Sequence, residues 1–363
     1  MIQPSNFAAP WWQVFIDAID RLPFSQQPSR LAGLAVKMVE RGERRAAATV
    51  ALRAWRQNRE AGGSSDDQIV RKALSAVTPA YHIQISTDAT RITAWEAALA
   101  TVVRPGMLAL EIGAGSGILA MLAARAGADV VSCEDDPVLA AIAEETVRQN
   151  GLAGRVRVVN KSSGDLRVSM DLPKPADLLL LDVFADRLFD FRPFDIIRTA
   201  RHLLQPGAVA MPKQVSLQGA LANFRRWHRM VPGRVGEFDL GALLDLASMK
   251  LAVDADEPDL LLRSEAETMV SAVLPHDLPA PSGAAQRILS SSGGTVNGVA
   301  LWLRMELAPG HVLEARPSLA PRGFYARPTF FAFRETLETV PGQPCSVCLH
   351  WEDKLVDVAL TTP

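Results

Sequence analysis

Three cysteines in 363 residues leave nothing from which to build a disulfide framework, and that scarcity points to a reducing, cytoplasmic setting. Cys345 and Cys348 form a lone C-x-x-C with no second pair and no histidine pair at zinc spacing, so no metal is expected. The segment around them, SVCLHW, alternates like a strand, which makes both core or edge thiols. No apolar run approaches the roughly 18 residues of a membrane span. The opening MIQPSNFAAPWWQ lacks the basic start and long apolar stretch of a signal peptide, so no membrane association is expected. Neither a Lys/Arg block nor a dense acidic run stands out, and the net charge is only −2, which argues against a nucleic-acid surface. Hydrophobic residues are 48% and charged residues 21%, enough for an ordinary core, and the length suits two or three domains.

One stretch carries most of the chemistry. Met107–Glu134, MLALEIGAGSGILAMLAARAGADVVSCE, reads as a buried strand, a glycine-rich turn, a helix and a second strand ending in an acid. The glycines are Gly113, Gly115 and Gly117. A dinucleotide fingerprint wants G-x-G-x-x-G, but Ile118 stands where its third glycine belongs. A phosphate loop wants Gly-Lys-Ser/Thr, and there is no lysine. What remains is the pattern that holds S-adenosylmethionine, a cofactor without phosphate, for which the loop only has to let backbone approach. Glycine permits positive φ and that close approach. Glu134 has two oxygens for two ribose hydroxyls. Glu111, at the end of the first strand, is placed to meet the cofactor's ammonium or sulfonium, directly or through water.

Along the chain, residues 1–78 are Ala/Arg/Leu-rich with helical period, and two helices are expected to meet near Gly42. Gly62-Gly63-Ser64-Ser65 ends the pair, and Asp66 is a candidate cap for another helix. This region is expected to serve packing or partner contact. Residues 79–212 alternate strand and helix: Asp136 caps a helix from Pro137, RVRVVN and DLLLLDV are further strands, and a helix around Ile196–Leu204 is expected to end at Pro206-Gly207. A fifth strand is interrupted by Pro212. That alternation gives an α/β fold with a doubly wound sheet, its ligand at the carboxyl ends of the strands. Residues 213–363 change texture. VALWLRMEL, PTFFAFRETL and PCSVCLHW predict an antiparallel β-barrel or sandwich, GALLDLASMKLA a helical excursion, and LPAPSGAAQRILSSSGGTVNG a polar, turn-rich loop.

The order of these parts resembles the protein arginine methyltransferases. LLQPGAVAMPKQVSL looks like that family's junction between cofactor domain and barrel. The resemblance implies that Arg91, in Asp88-Ala-Thr-Arg91, grips the cofactor carboxylate, and that the backbone at Ser163 lies beside the adenine. It implies a homodimer formed through an inserted segment at about 235–262. It also implies two carboxylates on the hairpin LLDVFADRLFDFRPFD that clamp a guanidinium. Asp182 takes the place of the first glutamate, and the second falls near Asp190 or Phe191. The family's His-Trp loop aligns near Phe324-Tyr325-Ala326 rather than with His350-Trp351.

The chemistry such a clamp would perform follows from the guanidinium. It arrives protonated, with delocalised lone pairs. Paired carboxylates give charge-assisted bonds to the fork and localise charge on the far nitrogens. Shortening Glu to Asp withdraws the clamp by one methylene, so free L-arginine or a small guanidine rivals peptidyl arginine as acceptor. A small-molecule N- or O-methyltransferase on another acceptor, and a non-catalytic cofactor-binding scaffold, are the alternatives.

Overall fold

The computed structural model describes residues 10–63, 67–78, 81–184, 186, 188–190, 192–230, 234–244, 249–318, 326–352 and 355–361. The chain begins with helices α1 (Gln13–Ile19), α2 (Gln27–Glu40), α3 (Arg44–Glu60) and α4 (Asp67–Val77). As expected, α2 and α3 meet at Gly42, whose φ of +83° is a conformation that a Cβ would strain. Asp66, the candidate cap, lies outside the described residues. Small residues let the helices approach closely: Ala32, Ala35, Ala47, Ala51 and Ala54 are all fully buried.

Next come α5 (Tyr81–Thr87) and α6 (Ala89–Val102), then the alternation β1 (Leu108–Ile112), α7 (Ile118–Ala126), β2 (Asp129–Cys133), α8 (Pro137–Gln149), β3 (Val156–Val159), β4 (Ala176–Leu181), α9 (Pro193–Ala200) and β5 (Leu204–Met211). The five strands pair in the order β3-β2-β1-β4-β5, all parallel. This is the doubly wound sheet, with its order reversing between β1 and β4. Every residue of β1 is buried, as a strand covered on both faces requires. Asp136 caps α8 as the sequence implies, its Oδ1 accepting from the N–H groups of Val138 and Leu139 at 2.8 and 3.0 Å.

The end of α9 differs from expectation. The helix stops at Ala200, a short 3-10 turn covers Arg201–Leu203, and β5 begins at Leu204. Pro206-Gly207 therefore lies inside the strand and not at a helix end. The pairing absorbs it: Leu204 opposes Ala176 while Val209 opposes Leu178, so the intervening residues bulge out of the ladder.

After Pro212 the chain builds β6 (Gln214–Phe224), β7 (Arg234–Val235), β8 (Phe238–Asp239), β9 (Lys250–Ala252), β10 (Leu260–Leu262), β11 (Glu267–Val273), β12 (Ser282–Ala308), β13 (His311–Glu314), β14 (Thr329–Glu352) and β15 (Leu355–Thr361). Eight of these form one antiparallel sheet, with β7 and β8 pairing separately. The helical excursion is one short turn, Gly241–Leu244, and residues 245–248 fall outside the described ones. The polar loop expected before Val299 is instead strand, continuous with VALWLRMEL in the 27 residues of β12. Its polar face is the solvent face of a strand: Leu289 is buried while its neighbour Ile288 is 69% exposed. Gly293 and Gly294, at φ +91° and +89°, kink the strand beside the bulge between Ser290 and Ser292. Cys345 and Cys348 sit on β14, one buried and one half-buried, and both are free thiols.

The helical region and the parallel sheet share α8. Val138 and Ala141 of α8 join the core of α2–α4, and Arg59 of α3 is ion-paired with Glu145. The other face of α8 packs toward the sheet, so the helix is apolar on two sides.

Candidate active site

The carboxyl ends of β1, β2 and β4 open onto a cleft of about 360 Å³. The Asp-x-x-Arg motif builds one wall. Asp88 is the N-cap of α6 and accepts from the Arg91 N–H at 3.0 Å, which sets Arg91 in the first turn with its side chain buried in the cleft. The guanidinium of Arg91 is ion-paired with Asp182, just past β4, and its Nη1 donates to the Ile85 carbonyl at 3.1 Å. Both side chains of the pair are only 4% exposed.

The glycine loop forms the floor. Gly113, Gly115 and Gly117 take φ of +85°, +53° and +81°. A Cβ on Gly113 would fall 2.9 Å from Val183 Cγ1, and one on Gly117 would fall 3.3 Å from the Ala143 carbonyl oxygen. Gly113 and Gly115 line the cleft, whereas Gly117 serves as the N-cap of α7, tucked against α8. Glu134 braces the loop from β2: its Oε2 accepts from Gly115 N–H at 3.0 Å and its Oε1 from Asp136 N–H at 3.1 Å. Burial pushes its carboxyl up to about 7 despite these bonds. Glu111 is 1% exposed. The strand register sets Ser132 beside it, and the Ser132 hydroxyl donates to its carboxylate. Burial outweighs that bond and raises Glu111 to about 8, so at neutral pH it is mostly uncharged until a cation is brought beside it. Ser163 follows β3 in a short 3-10 turn, buried, at the far end of the cleft lining.

The structure therefore brings Arg91, Glu111, Gly113, Gly115, Glu134, Ser163 and Asp182 to one cavity. Asp190 is half-buried and lies outside the cavity lining. Of the Phe324-Tyr325-Ala326 segment, only Ala326 is among the described residues, and His350-Trp351 lie on β14. Sequence reasoning passed over α5. Tyr81, His82, Ile85 and Ser86 line the cleft from above, just ahead of the Asp88 cap, on a helix too short and too exposed to carry an apolar period. The two rings lie 4.2 Å apart. Burial lowers His82 and raises Tyr81, so both are neutral at pH 7. Lys161, also missed, lines the cleft beside Ser162 and Ser163 and pairs with Asp171 at 2.6 Å. Among the described residues, no three His, Cys, Asp or Glu side chains are grouped as a metal ion would need.

Residues 90–210 match the family model of ribosomal protein L11 methyltransferase (PrmA). Arginine N(omega)-methyltransferase of Streptomyces achromogenes subsp. streptozoticus is 28% identical over 297 residues, 81% of either chain. Protein arginine N-methyltransferase 7 of Drosophila grimshawi is 35% identical over 128 residues, but these are 33% of this chain and 18% of that one. Among solved structures, the Trypanosoma brucei PRMT1 enzyme–prozyme heterotetrameric complex with AdoHcy superposes with a TM-score of 0.69 at 18% identity, over 79% of this chain and 93% of that one. Over most of its length the chain is similar to an arginine methyltransferase.

It is an S-adenosylmethionine-dependent methyltransferase. The cleft of this methyltransferase suits the cofactor. A loop whose Gly113 has no room for a Cβ leaves backbone as the contact surface. A buried, neutral Glu111 beneath it can yield its proton to accommodate a cation.

Proposed function

We propose that the methyl acceptor is the guanidino group of arginine, presented as free L-arginine or a small guanidine in preference to a peptide. The observation that carries this is the extent of the likenesses. The Streptomyces arginine N(omega)-methyltransferase corresponds over 81% of both chains, whereas the Drosophila protein arginine methyltransferase corresponds over 33% of this one.

In the proposed site Arg91, Glu111, Gly113, Gly115, Glu134 and Ser163 hold the cofactor, with Gly117 turning the chain into α7 behind them, and Asp182 and Asp190 hold the acceptor. The cofactor supplies a methyl already activated on a sulfonium, so no metal is called for. The residues of the chain supply placement. Glu134 presents carboxylate oxygens to ribose hydroxyls, and the glycines admit backbone alongside. Asp182 stands just past the end of β4, beside the glycine loop, whose Gly113 lies against Val183. A charge-assisted bond from it to a guanidinium draws positive charge away from the reacting nitrogen. Much of the remaining acceleration is in-line positioning. In the proposed division of the chain, residues 1–78 brace α8, 79–212 hold the cofactor, and 213–363 wall the acceptor side. A cytoplasmic homodimer formed through residues about 235–262 belongs to the same proposal. Among the described residues no helix is long and apolar enough to cross a membrane.

The test is transfer of a radiolabelled methyl to free L-arginine, an arginine peptide and a phenol. Free arginine labelled at an ω-nitrogen, with the peptide poorer by about tenfold or more in kcat/KM, is the expected result; a tenfold ratio corresponds to ~1.4 kcal/mol of discrimination. Equal or better turnover on the peptide would remove the preference for a free acceptor. Retained cofactor affinity with no guanidine methylated would favour a scaffold.

A further inference from the structure

The hairpin that follows β4 meets the antiparallel sheet at two places. Asp186 accepts a hydrogen bond from the backbone N–H of Arg327, ahead of β14, at 2.7 Å. Three residues on, Phe189 lies flat against Trp351 of β14, with ring centroids 5.4 Å apart and planes within 14°. Both rings are buried, at 3% and 9% exposure. Phe189 also meets Phe194 edge-on at 5.6 Å, and Phe194 meets Phe184 at 6.3 Å. A row of aromatic rings thus runs from the end of β4 to β14.

Trp351 is held firmly at its end of the row. Its indole N–H donates to the Ala280 carbonyl at 3.0 Å. Gly283, opposite it in the β12 register, leaves the space the ring occupies: a Cβ there would fall 2.5 Å from Trp351. On the hairpin side, Leu188 and Arg192 flank Phe189 with φ of +63° and +52°. Side-chain-bearing residues keep such backbone only where the surroundings over-determine it. Neither Phe189, Phe194 nor Trp351 lines the cofactor cleft.

We propose that Trp351 is a positioning residue for the methyl acceptor, acting through Phe189 to hold the Asp182–Asp190 hairpin against the antiparallel sheet. This rests on the assignment of that hairpin to the acceptor. The stack fastens the hairpin from outside the cofactor cleft, so its loss shifts the acceptor against the reacting methyl more than it loosens the cofactor, which Asp182 and Phe184 meet from the cleft lining. In-line transfer tolerates such a shift poorly, since displacement by about 1 Å costs on the order of a hundredfold.

The variants Trp351→Ala, Trp351→Phe and Phe189→Leu, made in the full chain, test this. Trp351→Ala is expected to lower acceptor kcat/KM by about ten- to a hundredfold, while cofactor affinity by calorimetry falls by several-fold less. Trp351→Phe, which keeps a ring on Phe189, is expected to recover most of the loss. The double variant Trp351→Ala/Phe189→Leu is expected to be no worse than the poorer single. Unchanged kcat/KM, losses that multiply, or an equal fall in cofactor affinity would each overturn the proposal. If Trp351→Ala does not fold, Gly283→Ala, which crowds the same ring, and Phe189→Leu carry the comparison. Hydrogen exchange of the peptide spanning 182–192 separates this idea from the identity of the acceptor. Faster exchange in Trp351→Ala, restored in Trp351→Phe, supports the positioning role even if no guanidine is methylated, in which case it is the acceptor assignment that fails. Unchanged exchange sinks the positioning role whatever the acceptor is.

Discussion

At the scale of single residues, Asp182 stands where two requirements meet. The site needs it as a carboxylate for an incoming guanidinium, and the fold already uses it as the buried partner of Arg91. Asp182→Asn keeps the shape and removes the charge. Turnover should fall at least on the order of a hundredfold, since a charged contact is worth about 1.5–3 kcal/mol and ~1.4 kcal/mol is tenfold in rate. Stability should fall as well, because Arg91 is left buried without its counter-charge, a loss of about 3–5 kcal/mol when one partner of such a pair is removed. Thermal unfolding checks this directly. An Asp182→Asn protein as stable as wild type would mean that the pair does not form in solution. Arg91→Met/Asp182→Asn, which removes both charges, should recover part of the lost stability.

Glu111 and Glu134 yield a pH dependence. Both are raised in the folded state, to about 8 and about 7, from the ordinary carboxyl value of 4.5. Between pH 4.5 and these values the folded chain keeps protons that the unfolded chain releases. Their contribution is therefore complete below pH 4.5 and is lost as pH rises through 7 and then 8. Denaturant titrations without cofactor should show stability declining across that window, and Glu134→Gln/Glu111→Gln should flatten the decline. A double variant with the wild-type slope would place the titrating groups elsewhere.

At the scale of elements, α5 is the test of what the cleft adds to the glycine loop. Tyr81 faces the cavity while Ile83, two residues on, is 70% exposed. Tyr81→Ala should weaken cofactor binding by about three- to tenfold, the worth of an aromatic contact at ~0.5–1.5 kcal/mol, and Ile83→Ala should leave it unchanged. If calorimetry finds both variants at wild-type affinity, α5 is a neighbour of the cavity and not part of its binding surface. The same helix marks the limit of what the residues announce. β1, β2 and β4 were legible because a parallel strand covered on both faces is a plain apolar run, and the Asp136 cap declared the helix that follows it. α5 has seven residues and no fully buried one, so no apolar period betrays it. The first half of β12 was obscured by Ser and Gly residues that normally close turns; here two glycines bend a strand whose partners are supplied from residues 337–352. The Arg91–Asp182 pair was invisible for a similar reason. Its members are separated by 91 positions and were each assigned to a different ligand.

At the scale of the whole molecule, association is the open prediction. The hairpin of β7 and β8 projects Val235 and Phe238, 53% and 76% exposed, from the segment proposed to join two copies. Light scattering at micromolar concentration should report a dimer. Phe238→Asp should shift it toward monomer, since burying an unpaired carboxylate costs several kcal/mol. A wild-type monomer would remove the dimer from the proposal.

The two-sided burial of α8 has a further consequence, which lies in the order of synthesis. Helices α2–α4 leave the ribosome first, but part of their shared core is Val138 and Ala141, which the ribosome has yet to make. With α4 ending at Val77 and α8 at Gln149, the early helices wait for about 70 more residues, or roughly 4–15 s at ~5–20 residues per second. For that interval the nascent chain presents an apolar groove shaped for one particular helix. Alanine-rich walls that hold the groove narrow and arginines along α3 that keep its rim charged favour α8 over chance hydrophobic partners while the chain is still being made.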